Sequence, residues 1–363
     1  MSKERNEVDL VHQGQGSGEV ATHMLSTGRL DPGSMRPYTG KDGKSYITSY
    51  TGGDPKKSES YRTIQVNNAT LRRDEWKQLD DAIVPIAEHR LVGVQDLISR
   101  GLTYNLGNAM GTTVLEWEDV SDAMEATMSM DGVTRGQGDR PVFGTKYLPI
   151  PIIHVDYEIN TRVLESSRSR GNPLDTTSAE RAARKVSDYL EKMLFTDVDY
   201  TFGGGTIKSY VNYGDREQVT LDDEWNGSGV TGATILEDVL EMKQASIDNY
   251  HYGPWVLYIP TNYETKMDED YDNTRGNTIR ERILAIGGID AVKVIDVLPD
   301  DNVLLVQMTP DVVRLVRGMG LQNVEWQTEG RFITKYKVMT IQVPQLRSDH
   351  NGKCGIVHAT FSS

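Results

Sequence analysis

The sequence predicts an α+β fold, in which helices and strands occupy separate stretches of the chain, on three observations. Apolar residues recur at helical spacing within residues 71–98 and 179–194. Residues 153–159 alternate apolar and polar side chains, as a half-buried strand does. From Asn302 onward nearly every segment has the composition of a β-strand. The chain of 363 residues, 37% of them apolar, is long enough for two or three compact units of a globular protein.

The overall composition argues against several classes of function. A net charge of −14 disfavours a protein that grips nucleic acid by neutralising phosphates, although it allows a shell that merely encloses nucleic acid. The single cysteine, Cys354, permits neither an intrachain disulfide nor a cysteine-based zinc site, which is typical of a reducing cytosol. The start, MSKERNEVDL, lacks the apolar core of a signal peptide, and no apolar run is long enough to span a membrane. We therefore expect a protein made in the cytosol, with no membrane partner.

Residues 1–66 are predicted to be an N-terminal arm without a core of its own. They are rich in Gly, Ser, Lys and Asp and have almost no periodic apolar pattern. Residues 1–62 hold nine Lys or Arg and eight Asp or Glu, so a basic tail that binds nucleic acid is disfavoured.

Residues 67–111 are predicted to form two short helices, with a break at Pro85 and an end at Gly101. Residues 112–152 then read as extended, polar and glycine-containing, and such a stretch is too long for a simple connection in a compact domain. A long projecting hairpin or loop is the better interpretation. Because prolines cannot donate to a β-ladder, those in residues 149–151 mark an edge, an arm or a bend.

A strand and a long helix are predicted within residues 153–230. The strand places Ile153 and every second residue to Ile159 on one face. The helix covers residues 178–195, and Thr177 with Glu180 matches a capping box at its start.

Residues 231–300 are predicted to be an α+β unit. Thr234 with Glu237 opens a helix, WVLYIP is a buried strand, NTIRERILAIGG contains a capped helix, and AVKVIDV is a second strand. Residues 301–363 are predicted to be almost entirely β-strand.

The motifs of common enzymes are missing or incomplete. GGGTIKS, residues 203–209, lacks the spacing of a phosphate-binding loop, so a flexible turn is the better interpretation. The chain has no H-E-x-x-H pair and no G-x-S-x-G elbow. We therefore expect no catalysis and no cofactor.

An acidic loop, DEDYDNTRGN, resembles a calcium loop in part. Its first, third and fifth positions are acidic, but Asn273 replaces the required glycine and Ile279 the required bidentate glutamate. A solvated loop is favoured over a metal site, although weak ion binding and a metal-dependent α+β enzyme remain as alternatives. The three acids are Asp268, Asp270 and Asp272.

Three motifs together resemble one family. Residues 74–101 resemble the W-x-x-(I/L)-D helix and the next helix of encapsulins. Residues 155–197 are similar to the strand, R-G-x-x-x-D turn and A-A-R helix of the same family, and YGPWVLYIP is similar to its G-P strand. On these motifs, residues 70–358 resemble the Hong Kong 97-type capsid fold of tailed-phage major capsid proteins and encapsulins.

The resemblance implies a structural major capsid protein that self-assembles, as pentamers and hexamers, into the icosahedral head shell of a tailed bacteriophage. Residues 112–152 would be the extended loop that lies on a neighbouring subunit, 153–230 the peripheral domain with its spine helix, 231–300 the axial domain, and 301–363 β segments shared by both. Such a shell encloses double-stranded DNA without reading its sequence, can work with scaffold, portal or decoration proteins, and is assembled in the host cytoplasm before it becomes part of the virion.

The alternative that the resemblance leaves open is an encapsulin-like compartment enclosing a cargo enzyme. The roughly 66 residues before the first helix favour the phage capsid, because encapsulins begin near that helix. The type phage of the fold links Lys to Asn between subunits, and Lys146 is the only lysine of residues 112–152. Its Asn and Glu partners are not identifiable, so a surface lysine is favoured over a crosslink. The candidates for contact between subunits are Trp117, Arg140, Lys146, Tyr147, Asp268, Asp270 and Asp272.

Overall fold

A computed structural model describes residues 35–50, 57–66, 69–120, 143–170, 176–271, 276–329 and 332–361, together with residues 128 and 130. The helices of this part of the chain are α1 Arg73–Arg90, α2 Val92–Ser99, α3 Thr161–Arg170, α4 Thr177–Phe195, α5 Gly232–Asp248, α6 Glu264–Met267 and α7 Ile279–Leu284. Short 3-10 helices cover Ser58–Ser60 and Thr261–Tyr263. The strands are β1 Tyr38–Thr39, β2 Ser45–Tyr50, β3 Tyr61–Val66, β4 Leu71–Arg72, β5 Thr103–Asn105, β6 Val114–Val120, β7 Phe143–Pro149, β8 Ile153–Asn160, β9 Tyr200–Phe202, β10 Gly205–Ile207, β11 Glu217–Thr220, β12 Trp255–Pro260, β13 Ile289–Ile295, β14 Asn302–Gln307, β15 Val313–Glu329, β16 Ile333–Leu346 and β17 Ile356–Thr360.

A five-stranded sheet, in the order β11-β17-β14-β12-β13, is buried on both faces. All six residues of β12 are buried, because the alternate side chains of the strand enter two different hydrophobic clusters. Leu257 and Ile259 pack with helices α5 and α7, whereas Val256 and Tyr258 pack towards α4. Burial on both sides explains why WVLYIP is continuously apolar rather than alternating.

A second sheet, in the order β5-β15-β16-β8, is built around the long hairpin of β15 and β16, and we refer to it as the long-strand sheet. Helix α4 packs on it and buries the predicted apolar positions, from Ala179 to Leu194. The alternation predicted for β8 is confirmed: Val155, Tyr157 and Ile159 pack against the core, while the residues between them are exposed. The Tyr157 ring stacks on Tyr336 of β16 at 5.4 Å between centroids.

The predicted start of α4 is wrong in one detail. The helix begins at Thr177, and no side chain caps a backbone N–H there. Instead the hydroxyl of Thr176 donates to the carboxylate of Glu180 at 2.5 Å. The four-residue capping pattern selects Thr177, because Glu180 follows it by three positions, whereas the residue that precedes the helix is Thr176.

The break predicted at Pro85 is also wrong, because α1 continues through Pro85 to Arg90. The chain leaves the helix at Leu91, with φ −95° and ψ 71°. A proline inside a helix leaves one carbonyl without its donor, here that of Asp81. Asp81 is exposed, so water can pair with this carbonyl.

The largest difference from the sequence prediction lies in residues 35–50 and 57–66, which contain strands instead of a coreless arm. Strands β3, β2, β1 and β4 make an N-terminal sheet in that order. Ile47, Ile64 and Val66 form a small core of their own, and Trp76 of α1 donates its indole N–H to the carbonyl of Pro37 at 2.9 Å. The strands are too short and too polar for their alternation to be recognised in sequence. Residues 1–34 lie outside the described residues.

Helix α3 and strands β9 to β11 were not predicted, and β10 lies in residues 203–209, which were predicted to be a flexible turn. Most of the other predicted elements are present, with changed boundaries. Helix α5 begins at Gly232 rather than Thr234, because Thr231 is the capping residue and accepts from the Thr234 N–H at 3.4 Å. The two strands predicted between Val312 and Glu329 are one long strand, β15, whose pairing with β16 shifts register at three places. Such irregularities interrupt the alternating pattern and divide the strand when it is read from sequence.

Candidate intersubunit surfaces

A two-stranded hairpin projects from the body of the molecule. Strands β6 and β7 pair antiparallel with each other from Val114↔Pro149 to Val120↔Phe143, and with no third strand among the described residues. Leu148 at its base is buried, and Leu115 and Trp117 pack partly against the main core. A two-stranded ribbon is marginally stable in water, so this hairpin needs burial from elsewhere.

The outer part of the hairpin exposes apolar side chains. Phe143 is 59% exposed and Tyr147 38% exposed, while Glu116 and Glu118 are exposed on β6. Large exposed apolar residues close together are typical of protein contact sites. The hairpin is therefore the first candidate for a contact between subunits.

The hairpin is held at its base by a second turn, β9–β10. The backbone of Gly205 lies so close to Tyr147 that a Cβ at 205 would be 2.3 Å from the Tyr147 carbonyl oxygen. Gly203 has φ +59°, and a Cβ there would meet Val114 of β6 at 2.6 Å. Two glycines thus let the β9–β10 turn support both strands of the hairpin.

The hairpin brings together three of the predicted contact residues. Trp117 and Lys146 face each other across the ladder, and Tyr147 follows on β7. Lys146 forms an ion pair with Asp119 at 3.0 Å, which assigns this lysine a role within the hairpin. Arg140 lies outside the described residues.

The acidic loop lies elsewhere, at the end of α6, and its charges are partly compensated. Asp268 accepts from Arg280 at 3.0 Å, and Asp270 forms a β-bridge with Thr278. Asp272 lies outside the described residues. Within the part of the chain that the structure describes, no group of three His, Cys, Asp or Glu residues could hold a metal ion.

An apolar groove with a cavity volume of about 320 Å³ runs between α4 and strands β8 to β10. Ile152, Tyr189 and Tyr200 line it and are each 43–44% exposed. The sequence analysis missed this groove, because its residues come from four separate segments.

A buried polar cluster joins α4, α2 and the five-stranded sheet, and no local sequence pattern predicted it. Glu191 of α4 accepts from the N–H groups of Gly93 and Val94, at 2.9 and 3.4 Å, at the start of α2. Burial raises the pKa of Glu191 to about 8. Its second oxygen, Oε2, has no hydrogen-bond partner among the described residues, so no donor there stabilises a charged carboxylate and burial favours the protonated form.

The cluster continues from α2 to the five-stranded sheet. Asp96 accepts from the Tyr258 hydroxyl at 3.0 Å and forms an ion pair with Lys293. Burial raises the pKa of Tyr258 well above its ordinary value. Helix α2 is thus fixed between α4 on one side and strands β12 and β13 on the other.

A second buried titratable group lies in the five-stranded sheet. The Nδ1 atom of His358 accepts from Arg216 at 3.2 Å, so its Nε2 carries the proton that faces Asn302, at 2.7 Å. Burial, together with the Arg216 charge, lowers the pKa of His358 to about 4. The imidazole is therefore neutral at pH 7.

A comparison of sequences decides the family of the chain. The sequence model described as a family of unknown function, DUF6260, matches residues 66–359. The chain belongs to the DUF6260 family. A curated relative of this DUF6260 protein is the type 1 encapsulin shell protein EncA of Myxococcus xanthus (strain DK1622), which is 23% identical over 208 residues. The match covers 56% of the chain and 66% of EncA, just under two thirds of the relative's length.

Solved structures show the fold of the DUF6260 protein. The virus-like particle from Pyrococcus furiosus has a TM-score of 0.57 and 16% identity, over 78% of this chain and 98% of that one. The capsid of Myoviridae phage XM1 also has a TM-score of 0.57, with 11% identity, over 75% and 92% of the two chains. The capsid of the native GTA particle has a TM-score of 0.53 with 11% identity, over 86% and 96%. The chain therefore has the Hong Kong 97-type capsid fold, as its motifs predicted.

These relatives and neighbours are described as shell, capsid and virus-like particle proteins. Among the described residues, none of the helices combines the length and the apolar character that crossing a bilayer requires.

Proposed function

We propose that the DUF6260 protein is the repeating subunit of an icosahedral shell, the major capsid protein of a tailed bacteriophage or of a related prophage particle. The observation that carries this proposal is the projecting hairpin, which leaves Phe143 59% exposed and Tyr147 38% exposed. In a shell, identical neighbours cover such side chains, and closed symmetry makes many modest contacts cooperative.

In this proposal each part of the chain has a place in the shell. The hairpin lies on a neighbouring subunit, the long-strand sheet with α4 is the peripheral domain, and residues 231–300 are the axial domain around five-fold and quasi-six-fold axes. Residues 301–363 contribute to both, since β14 and β17 belong to one sheet and β15 and β16 to the other. The copies form pentamers and hexamers in the host cytoplasm. The resulting virion shell encloses double-stranded DNA, and scaffold, portal and decoration proteins act with it.

A second candidate is an encapsulin-like compartment around a cargo enzyme, which the match to EncA favours. The phage capsid is preferred because residues 35–50 and 57–66 form most of a sheet before the first helix, whereas encapsulins begin near that helix. The two candidates differ in what the particle contains.

Electron microscopy and sedimentation of the purified full-length chain test the proposal. We expect closed particles, and those from the native host should contain DNA rather than a protein cargo. Small cages filled with protein would favour the compartment instead. A compact monomer at every concentration and salt, with residues 112–151 resistant to protease, would contradict both shell functions.

The substitution Phe143→Ser tests the hairpin directly. The side chain is 59% exposed, so the fold of the monomer should tolerate the change, whereas the fraction of chain in particles should fall. Unchanged assembly would remove the hairpin from the proposed contact.

A further inference from the structure

The N-terminal sheet and the first two turns of α1 carry positive charge in an acidic protein. The described residues 35–50, 57–66 and 69–80 contain eight Lys or Arg and five Asp or Glu, a net charge of +3 from 8 − 5. The whole chain has a net charge of −14. Cations concentrated on one part of an otherwise acidic chain favour a negatively charged partner for that part.

One face of the N-terminal sheet carries tyrosine side chains. Tyr46 and Tyr50 lie on the same face of β2, and Tyr61 is the cross-strand partner of Tyr50. The Tyr50 and Tyr61 rings are 5.5 Å apart, and the Tyr38 and Tyr46 rings 6.1 Å apart. Four residues along a strand span about 13 Å, so the two pairs are spaced by roughly two nucleotides of an extended single strand.

The tyrosine face is the outer face of this sheet. The opposite face holds the small core of Ile47, Ile64 and Val66. Between the two tyrosine pairs lie the hydroxyl groups of Thr48 and Thr63, 3.3 Å apart, which can donate to or accept from a ligand. Tyr61 is 42% exposed.

A groove with a cavity volume of about 430 Å³ continues this face onto α1. Tyr38 and Thr48 line it from the sheet, and Arg73 and Lys77 line it from the helix. The Arg73 guanidinium lies 5.8 Å from the centre of the Tyr38 ring. Both Arg73 and Lys77 are exposed, and neither forms an ion pair with another described residue.

Other charged residues of the groove give it a small positive excess. Arg36 forms an ion pair with Asp80 at 2.6 Å, so these two charges compensate each other. Asp74 is the other acid that lines the groove. With Arg73 and Lys77 against Asp74, the side chains that line the groove have a net charge of +1, from 2 − 1.

We propose that this surface, made of the tyrosine face and the Arg73–Lys77 edge of α1, binds single-stranded nucleic acid. The cations pair with phosphates, and the tyrosine rings stack on bases, which are accessible in a single strand but not in a duplex. An acidic peptide shares the negative charge but has no bases to stack, so the paired rings favour nucleic acid. The inference goes beyond the shell function and does not depend on it.

Fluorescence anisotropy of a labelled oligothymidylate of about 20 nucleotides, titrated with the full-length chain over a series of salt concentrations, tests the proposal. The double variant Arg73→Glu/Lys77→Glu should bind at least about tenfold more weakly. For this variant the slope of log K against the logarithm of the salt concentration should become shallower by about 1.4. Each lost phosphate contact contributes about 0.7 to that slope, and two contacts are lost. The matched control is Arg181→Glu/Lys185→Glu, two exposed cations four residues apart on α4, which should bind like the unchanged chain.

The variant Tyr61→Ser separates stacking from charge. We expect an affinity about fivefold lower with an unchanged salt slope, because the ring contributes stacking and no charge. The proposal is wrong if the unchanged chain does not bind the oligonucleotide, or if poly-glutamate competes for the site as well as the oligonucleotide does. It is also wrong if the α4 control weakens binding as much as the α1 variant. Circular dichroism of each variant verifies the fold, and particle images report separately on the shell proposal.

Discussion

The substitution Gly205→Ala tests how the projecting hairpin is held. A Cβ at this position would lie 2.3 Å from the carbonyl oxygen of Tyr147 and 2.6 Å from its carbonyl carbon. Real Cβ atoms essentially never approach within 3.0 Å, so the two backbones must separate by at least 0.7 Å, which is 3.0 − 2.3. Both contacts are backbone atoms, and no side-chain rotation can relieve them.

The free energy of this change follows from the packing around it. Overpacking a close contact typically costs about 1–3 kcal/mol. Because β6 and β7 have no third strand among the described residues, the shift moves the hairpin rather than being shared across a wide sheet. We expect the free energy of unfolding to fall by about 2 kcal/mol, and the fraction of chain in particles to fall as well.

Urea unfolding and sedimentation of Gly205→Ala measure these two effects. The matched control is Gly144→Ala, which lies in β7 itself and whose Cβ would meet no atom within 4 Å. The control should unfold and assemble like the unchanged chain. If the two variants have the same unfolding midpoint and the same particle fraction, the close approach of β10 does not position the hairpin, and the reasoning fails.

Three further predictions concern buried charges. The folded pKa of His358 is about 4, below its ordinary 6.5, so stability is full above pH 6.5 and is lost as pH falls towards 4. Urea unfolding should show that the free energy of unfolding falls by about 2 kcal/mol between pH 7 and pH 5. The variant His358→Gln should not show this fall. An equal fall in the variant would mean that His358 is not the cause of the pH dependence. Glu191 has a pKa of about 8 against 4.5, so stability is full below pH 4.5 and is lost as pH rises through 8. Glu191→Gln should therefore stabilise the chain at pH 8 by on the order of 3 kcal/mol and change little near pH 4.5; a destabilised variant at pH 8 contradicts the protonated state. Arg168 donates two hydrogen bonds to the carboxylate of Glu75, at 2.8 and 2.6 Å. Arg168→Ala leaves that carboxylate buried without its partner and should cost about 2–4 kcal/mol, measured by thermal unfolding, and a loss below about 0.5 kcal/mol would refute it.

The parts of the fold that the sequence predicts are those in which one local pattern determines the structure. The alternation of β8 persists because one of its faces packs on α4, and the continuous run of β12 persists because both faces are covered. Helix α4 has the clearest period because it buries one side along its whole length. Motifs in these same segments carried the family resemblance.

Residues that act through distant partners could not be predicted in the same way. Glu191 reads as one more charged residue on a helix, and its burial depends on Gly93, almost a hundred positions earlier. A Cβ at Gly93 would meet the Phe195 ring at 2.4 Å, so this glycine is what allows the two helices to approach. The contact residues predicted on the hairpin were found by their position in a long extended stretch, whereas the ion pair of Lys146 with Asp119 depends on the register of the ladder.

The positive surface of the N-terminal sheet could not be recognised from the charge count of residues 1–62, because that count combines segments of opposite net charge. Over residues 1–62 nine cations and eight acids nearly cancel, because residues 1–34 contribute five acids and only three cations. The fold places residues 35–50 and 57–66 around a separate sheet and adds Arg72, Arg73 and Lys77 from the following segment. A charge count therefore reports on a binding surface only when its boundaries are those of the folded unit.

The β6–β7 hairpin and the N-terminal sheet expose different kinds of side chain and therefore favour different binding partners. The two large sheets pack into the hydrophobic cores of the molecule, although the outer face of β8 is exposed. The hairpin of β6 and β7 leaves Phe143 59% exposed and Tyr147 38% exposed, and a further copy of the chain can bury these rings. The N-terminal sheet exposes tyrosines among cations instead, and burying unpaired cations against an apolar surface is unfavourable. An anionic ligand removes that penalty, which is why the two surfaces call for partners of different chemistry.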